Sequence, residues 1–207
     1  MFLCDVKNLD DIALIEGDKL EITYSNLCQK VNDFSKLFTS KHLIFIIGAN
    51  DVATIVAYLS SIDSGVVPLL LGSQTNQGQI DNLINIYKPK YIFQKLNLNT
   101  LNDYSFLSKF IGYNFFLRDA YEEIELHPDL ALLLSTSGST GSPKLVRLSR
   151  KNLTSNAISI SKYLNINSND RAISSLPFNY SYGLSVINSH LKSGGSIVLT
   201  NSSMMER

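Results

Sequence analysis

The sequence predicts an α/β fold in which a mostly parallel sheet is flanked by helices. Strand-sized apolar runs alternate along the chain with segments whose apolar residues recur every three or four positions, the spacing of a helix with one buried face. The run at residues 43–47 is continuously apolar and rich in Ile, which is typical of a strand buried on both faces. A helix that connects two such strands lets them lie parallel in one sheet.

The chain begins with a predicted strand pair followed by a helix. Residues 13–16 and 20–23 flank a turn at Gly17, and apolar side chains then recur at helical spacing over residues 24–38. Thr23 is a suitable N-cap because its hydroxyl can accept a hydrogen bond from a free N–H group of the first turn.

The next segments predict a strand, a helix and a second strand. The strand at residues 43–47 ends at a Gly-Ala-Asn sequence, and Asp51 is a suitable cap for the apolar helix that follows. Gly65 ends this helix, and a strand returns over residues 66–71. This strand–helix–strand unit is what makes the predicted sheet parallel.

A third helix is predicted at residues 77–87 and a short strand at residues 91–94. Residues 95–128 show neither a helical nor a strand period, and we interpret them as an irregular connection. A buried strand follows at residues 130–134.

The C-terminal part of the chain continues the alternation. Ser149 is a suitable N-cap for a helix whose apolar face extends to Leu164. Strands are then predicted at residues 172–176 and 196–200, with a helix at residues 183–191 between them. No internal repeat interrupts this pattern, so a single α/β domain is expected.

Composition excludes several classes of function. The 207 residues include 18 basic and 18 acidic ones, and a formal net charge of zero argues against a nucleic-acid-binding face. Two cysteines and three scattered histidines give neither a disulfide framework nor metal-ligand spacing. No apolar run approaches the roughly 20 residues of a membrane-spanning helix, and no secretory signal is evident. We therefore expect a cytoplasmic protein without a membrane span.

The segment after the strand at residues 130–134 is rich in Ser, Thr and Gly and ends in Pro-Lys. Its glycines let backbone N–H groups approach an anion, its hydroxyls can donate to phosphate oxygens, and its lysine adds a positive charge. A flexible linker is the alternative, although a linker is not flanked by a buried strand and a capped helix. The spacing differs from that of a Walker A loop. The candidate phosphate-binding residues are Thr136, Ser137, Gly138, Ser139, Thr140, Gly141 and Lys144.

Residues 136–144 resemble the signature of the adenylate-forming (AMP-binding) superfamily of acyl- and aryl-CoA synthetases, luciferases and peptide-synthetase adenylation domains. Residues 22–27 are similar to the early helix start of that family, and residues 57–69 are similar to one of its Gly- and Pro-containing strands. Residues 177–183 look like its aromatic acyl-pocket motif. The resemblance covers essentially the whole chain.

The resemblance implies an AMP-forming carboxylic acid ligase. A carboxylate attacks the α-phosphate of Mg²⁺-bound ATP, giving an acyl adenylate and pyrophosphate. A thiol, either coenzyme A or the pantetheine of an acyl carrier protein, then accepts the acyl group. By the same resemblance, the loop ending at Lys144 would hold the β- and γ-phosphates.

The resemblance also implies a domain organisation. Residues 1–207 would form the N-terminal portion of the large AMP-binding domain, and the remaining half of that domain and a C-terminal lid domain would lie outside this chain. The Mg²⁺-binding Glu and the catalytic Lys of the family belong to those parts. No catalytic residue is therefore assigned within residues 1–207, and we expect this chain alone to be inactive.

The acyl-pocket candidates are Phe178, Asn179, Tyr180, Ser181, Tyr182 and Gly183, and ordinary core packing is the alternative for their aromatic members. Amino-acid-activating members of the family carry an Asp in this motif, which pairs with the α-ammonium group of the substrate. Here Asn179 or Ser181 aligns with it, and neither is charged. Because an unpaired buried ammonium group is costly, we expect an aliphatic or aromatic acid without an α-amino group.

One departure and two alternatives accompany this prediction. Leu145 stands where the family usually has Gly after the lysine, so altered packing behind the loop is expected. A non-catalytic phosphate- or carrier-binding module that kept only the loop is the main alternative. A flavodoxin-like mononucleotide binder would also fit the predicted fold, but it does not explain the Pro-Lys ending of the loop.

Overall fold

The computed structural model describes residues 6–17, 20–39, 41–95, 103–120, 124–135 and 144–201. The strands are β1 (Ile12–Glu16), β2 (Leu20–Thr23), β3 (Leu43–Gly48), β4 (Val67–Gly72), β5 (Tyr91–Gln94), β6 (Tyr104–Phe110), β7 (Tyr113–Arg118), β8 (Leu130–Ser135), β9 (Leu145–Ser149), β10 (Arg171–Ser174) and β11 (Ser196–Leu199). The helices are α1 (Tyr24–Ser35), α2 (Val52–Asp63), α3 (Gln77–Tyr87), α4 (Arg150–Tyr163) and α5 (Ser181–Ser193). Within these described ranges, no helix is both long enough and apolar enough to cross a membrane.

The strands form two sheets. The larger sheet has the order β6-β7-β5-β3-β4-β8-β9, in which β5, β3, β4 and β8 run parallel. The pairings of β6 with β7, β7 with β5 and β8 with β9 are antiparallel. The smaller sheet has the order β10-β11-β1-β2, with only β2 antiparallel. The predicted α/β class with a mostly parallel sheet is confirmed, and the division into two sheets is an addition to it.

Strand β3 separates two hydrophobic cores because successive side chains of a strand point to opposite faces. Ile44 and Ile46 pack in the core that contains α1, α2 and the smaller sheet. Phe45 instead packs in a second core with Ile80 and Leu83 of α3. Helices therefore cover both faces of the larger sheet, as its fully buried central strand requires.

The predicted helix caps are confirmed. The Thr23 side chain accepts a hydrogen bond from the backbone N–H of Asn26 at 3.2 Å, and Asp51 accepts one from the backbone N–H of Thr54 at 3.0 Å. Ser149 begins α4 with a reciprocal pair of hydrogen bonds to Asn152. Each cap satisfies an N–H group that the first helical turn leaves without an intrahelical partner.

Three strands were not predicted. β6 and β7 form an antiparallel hairpin within the segment that was interpreted as an irregular connection, and most residues of β6 are exposed or half-buried. β9 pairs antiparallel with β8 and lies between the Ser/Thr/Gly loop and α4, where no element was predicted before Ser149. β6 and β9 are the edge strands of the sheet and lack the continuous apolar pattern of a buried strand, which explains why the sequence did not reveal them. β7 lies inside the sheet, between β6 and β5, and its buried aromatic residues were not recognised as a strand.

Candidate functional site

A cleft of about 960 Å³ opens where several parallel strands end. Gly48 and Gly72, the last residues of β3 and β4, line it together with Ser135 at the end of β8. Ser175, directly after β10, and Thr200, directly after β11, line it from the smaller sheet. Ligands of open α/β sheets bind at the carboxyl ends of the strands, so the cleft is the candidate binding site.

The Ser/Thr/Gly loop starts at this cleft. Its predicted members Thr136, Ser137, Gly138, Ser139, Thr140 and Gly141 lie outside the described residues. Ser135 before the loop and Leu145 after it are direct partners in the β8–β9 ladder. The two ends of the loop are therefore held together beside the cleft, and Lys144, which is exposed, immediately precedes the returning strand.

Leu145, where the family usually has Gly, has a structural role in this chain. Its backbone pairs with Ser135, and its partly buried side chain packs against the second hydrophobic core. Leu145 therefore packs on the α3 side of the larger sheet, and an altered packing relative to Gly at this position stays a prediction.

The structure separates the acyl-pocket candidates into two groups. Phe178, which is fully buried, Asn179 and Tyr180 line the cleft. The side chain of Tyr182 is 68% exposed and does not line it. Gly183 is buried in α5, where an added Cβ would collide with the backbone oxygen of Pro177.

Ser181 is the first residue of α5 and is exposed. Its backbone oxygen accepts a hydrogen bond from the Ser185 hydroxyl at 2.7 Å. Like Tyr182, it does not line the cleft.

Asn179 carries an unsatisfied polar atom at the cleft. Its Oδ1 is buried and has no hydrogen-bond partner among the residues that the structure describes, and it would lie 3.3 Å from a Cβ added at Gly72. Buried polar atoms are nearly always paired in folded proteins, so this oxygen is an exception among the described residues. Glycine at position 72 leaves room for this amide beside the end of β4.

Asn50 is a cleft residue that the sequence analysis missed. It is only 5% exposed, and its side-chain amide binds the backbone oxygens of Ser174, Leu176 and Thr200 at 2.7, 3.0 and 3.1 Å. Its Oδ1 accepts a hydrogen bond from the backbone N–H of Phe178 at 2.9 Å. In the sequence this residue looked only like part of a strand-ending turn. Its position between a buried strand and an N-cap was the one available signal.

A second polar cluster lies at the β5 side of the cleft. Asp51 Oδ2 accepts a hydrogen bond from the Tyr113 hydroxyl at 2.6 Å and lies 3.2 Å from the Lys95 ammonium group. Burial raises the pKa of the Tyr113 hydroxyl, and its hydrogen bond to Asp51 raises that pKa further. Lys95 and Tyr113 both line the cleft, so this corner presents a cation whose charge is partly balanced by Asp51.

The N-terminus of α2 also faces this region, but carboxylates already occupy it. Asp51 Oδ1 accepts from the N–H of Thr54, and Glu16 Oε2 accepts from the N–H of Val52 at 2.9 Å. A helix N-terminus attracts anions, and here two side chains of the protein supply them. The start of α2 is therefore unsuitable for binding a phosphate group.

The described part of the chain offers little to a metal ion. No group of three or more His, Cys, Asp or Glu side chains comes together among the residues that the structure describes. No Asp or Glu is among the described residues that line the cleft. Mg²⁺ prefers carboxylates, phosphate oxygens and water, so these residues do not form a Mg²⁺ site by themselves.

Comparison with known proteins gives one family. The model of the family described as AMP-binding enzyme matches residues 4–206, which is nearly the full length of the chain.

Several solved structures have the same fold. Apo MatB from Rhodopseudomonas palustris is 21% identical, with a TM-score of 0.74 over 96% of this chain. VinN in complex with L-aspartate is 20% identical, with a TM-score of 0.74 over 92% of the chain. CmiS6 is 17% identical, with a TM-score of 0.79 over 95% of the chain. MatB is also known with ATP bound.

The chain is much shorter than these proteins. It spans 44% of the length of apo MatB, 58% of VinN and 51% of CmiS6.

Proposed function

Because the chain belongs to the family of AMP-binding enzymes, we propose that it forms the ATP-binding part of a ligase that activates a carboxylic acid as an acyl adenylate. In this reaction a carboxylate oxygen attacks the α-phosphorus of ATP, a new P–O bond forms, and the bond to the leaving pyrophosphate breaks. A thiol, from coenzyme A or an acyl carrier protein, then displaces AMP from the acyl group. We also propose that residues 1–207 form the N-terminal portion of the large domain, in keeping with their coverage of MatB.

The position of the loop carries this proposal. The pairing of Ser135 with Leu145 holds both ends of the hydroxyl-rich loop at the carboxyl edge of the parallel strands. Donors fixed around a polyphosphate stabilise the negative charge that develops on a leaving pyrophosphate. Lys144, at the return of the loop, would add a positive charge beside the same oxygens.

The acid would lie on the opposite side of the cleft, against Phe178, Asn179 and Tyr180. No Asp or Glu is among the described lining residues, so none of them can pair with the α-ammonium group of an amino acid. The proposed substrate is therefore an acid without an α-amino group.

Mg²⁺ would reach this cleft mainly through ATP. The described residues do not form a metal site, and Mg²⁺ commonly binds phosphate oxygens and water with only one or two carboxylates. The metal would offset the negative charge of the phosphates. The chain's own residues would position those phosphates and the acid.

Calorimetry with pyrophosphate and with Mg²⁺-bound ATP tests the proposal. We expect weak binding to the 207-residue chain and at least tenfold weaker binding to Lys144→Ala. Lys162→Ala is the matched control, because Lys162 is an exposed lysine at the far end of α4 and does not line the cleft. Equal binding by wild type and Lys144→Ala would contradict the role given to the loop.

A second assay separates the ligase from the non-catalytic module. Exchange of labelled pyrophosphate into ATP is measured with medium-chain, long-chain and aryl acids. We expect none from the 207-residue chain, because it spans less than half of MatB, and acid-dependent exchange from any longer protein that contains it. Binding without exchange in that longer protein would favour the phosphate- or carrier-binding module.

A further inference from the structure

Asn50 joins the two sheets at a point where backbone pairing does not. The described strands form two separate ladders, with β3 in the centre of the larger sheet and β10 and β11 in the smaller one. Asn50 follows β3 by two residues. Its amide nitrogen carries two N–H groups and lies within hydrogen-bonding distance of three backbone oxygens, those of Ser174 at the end of β10, Leu176 in the next turn and Thr200 after β11.

The partners of Asn50 fix the orientation of its amide group. Three carbonyl oxygens surround the nitrogen, which is a donor, and the backbone N–H of Phe178 points at the oxygen, which is an acceptor. A reversed amide would place oxygen against three oxygens. The backbone N–H of Asn50 itself donates to Asn201 Oδ1 at 2.9 Å, which adds a second link to the end of β11.

We infer that Asn50 is a positioning residue that fastens residues 174–180, the segment carrying Phe178, Asn179 and Tyr180, to the central strand of the larger sheet. The loop that ends at Lys144 leaves the same sheet from β8, two strands away from β3. Asn50 therefore sets the position of one side of the cleft relative to the other. That residues 174–180 bind the acid and the loop ending at Lys144 binds phosphate rests on the proposed function. The attachment of residues 174–180 to β3 through Asn50 does not.

The first test is hydrogen–deuterium exchange in the wild-type chain. The Phe178 amide is bonded to a side chain just before α5, so its protection depends on Asn50 and not on a helix or a ladder. We expect it to exchange at least tenfold more slowly than a solvent-exposed loop amide. Exchange at the rate of an exposed loop would overturn the inference without any variant.

Variants of Asn50 test whether its side chain protects residues 174–180 in particular. Asn50→Ser removes most of the amide contacts but keeps a small hydroxyl, and Asn50→Ala removes all of them. We expect exchange of residues 174–180 to accelerate at least tenfold, with little change in residues 130–135 and 145–149 of β8 and β9. Ser60→Ala is the matched control. It removes a buried hydroxyl of α2 that donates to the Val31 oxygen at 3.0 Å, away from the segment. If hydrogen–deuterium exchange accelerates throughout the Asn50→Ser protein, or if Ser60→Ala accelerates exchange in residues 174–180 as well, then Asn50 stabilises the protein only in general. Either result would contradict the inference that it fastens this segment.

Binding then tests the functional half of the inference. The probes are pyrophosphate and octanoyl-sulfamoyl-adenosine, a stable analogue of an acyl adenylate. We expect Asn50→Ser to weaken binding of the analogue at least tenfold, while the affinity for pyrophosphate stays within twofold of that of wild type. Equal weakening of both probes would contradict a role on one side of the cleft. If the wild-type chain binds neither probe, the proposed function fails, and the exchange experiment still decides whether Asn50 fastens the segment.

Discussion

The hydroxyl of Tyr113 on β7 lies 2.6 Å from Oδ2 of Asp51, the residue that caps α2. Asp51 is 3% exposed, and its two oxygens accept hydrogen bonds from Thr54, Tyr113 and Lys95. One carboxylate thus connects the start of a buried helix to a hairpin at the far side of the sheet. A buried charge of this kind is tolerated because donors surround it.

Replacing Tyr113 with Phe should destabilise the protein by about 1–3 kcal/mol, because a buried carboxylate loses a short hydrogen bond. Urea unfolding monitored by circular dichroism measures the change. Tyr163→Phe is the control, since Tyr163 is 86% exposed, and its free energy of unfolding should equal that of wild type. A Tyr113→Phe protein as stable as the control would show that the hydrogen bond contributes nothing net.

Stability should fall in alkaline solution partly because of Tyr58. Burial raises the pKa of the Tyr58 hydroxyl, which also donates to Asn188 Oδ1 at 3.2 Å. The folded protein therefore holds this proton more tightly than the unfolded chain, whose tyrosines titrate at about pH 10. The contribution of the protonated Tyr58 hydroxyl to the free energy of unfolding is therefore complete below that pH. It is lost as the pH rises above that value toward the folded-state pKa.

Tyr58→Phe should remove that part of the pH dependence. The free energy of unfolding, measured between pH 8 and pH 11, should fall less steeply in the variant, by up to about 1.4 kcal/mol per pH unit. Tyr163→Phe, which alters an exposed hydroxyl, should keep the wild-type slope. Parallel curves for wild type and Tyr58→Phe would contradict the assignment.

Gly183→Ala should destabilise the protein although alanine is the better helix former. In an exposed helix this change stabilises by about 1 kcal/mol, but here the new Cβ would collide with the Pro177 backbone oxygen and also lie 2.7 Å from that of Leu176. Thermal unfolding should show a loss of about 2 kcal/mol or more. Gly78→Ala in α3 is the matched control.

The Gly78 control differs in what the new methyl group meets. Its Cβ would lie 3.2 Å from Asn76 Oδ1, which caps α3 by accepting a hydrogen bond from the Gly78 N–H. This side-chain oxygen is exposed and needs to shift by only a few tenths of an ångström, whereas the oxygens that meet Gly183 belong to the backbone. We expect that variant to be near neutral or slightly stabilised. A stable Gly183→Ala protein would mean that the turn before α5 can shift, which would also weaken the argument that residues 174–180 are held in place.

Local features of the sequence predicted much of the fold. The caps at Thr23, Asp51 and Ser149 depend on side chains within three residues of the N–H groups that they bind, so the sequence alone shows them. β3 was recognisable because a strand buried on both faces must be apolar throughout. β6 and β9 were not, because edge strands with solvent on one side carry no such pattern.

The sequence by itself determined the α/β alternation, the main helix starts and the loop that resembles a family signature. Only the tertiary structure decided which strand ends meet. Asn50 and Phe178 are 128 positions apart, and neither has a neighbour in the sequence that indicates the other. Their contact exists because two sheets pack around a shared core and bring their carboxyl ends to one cleft. Because buried polar groups are nearly always paired, the amide of Asn50 needs these distant partners, and that need becomes visible only when the chain is folded.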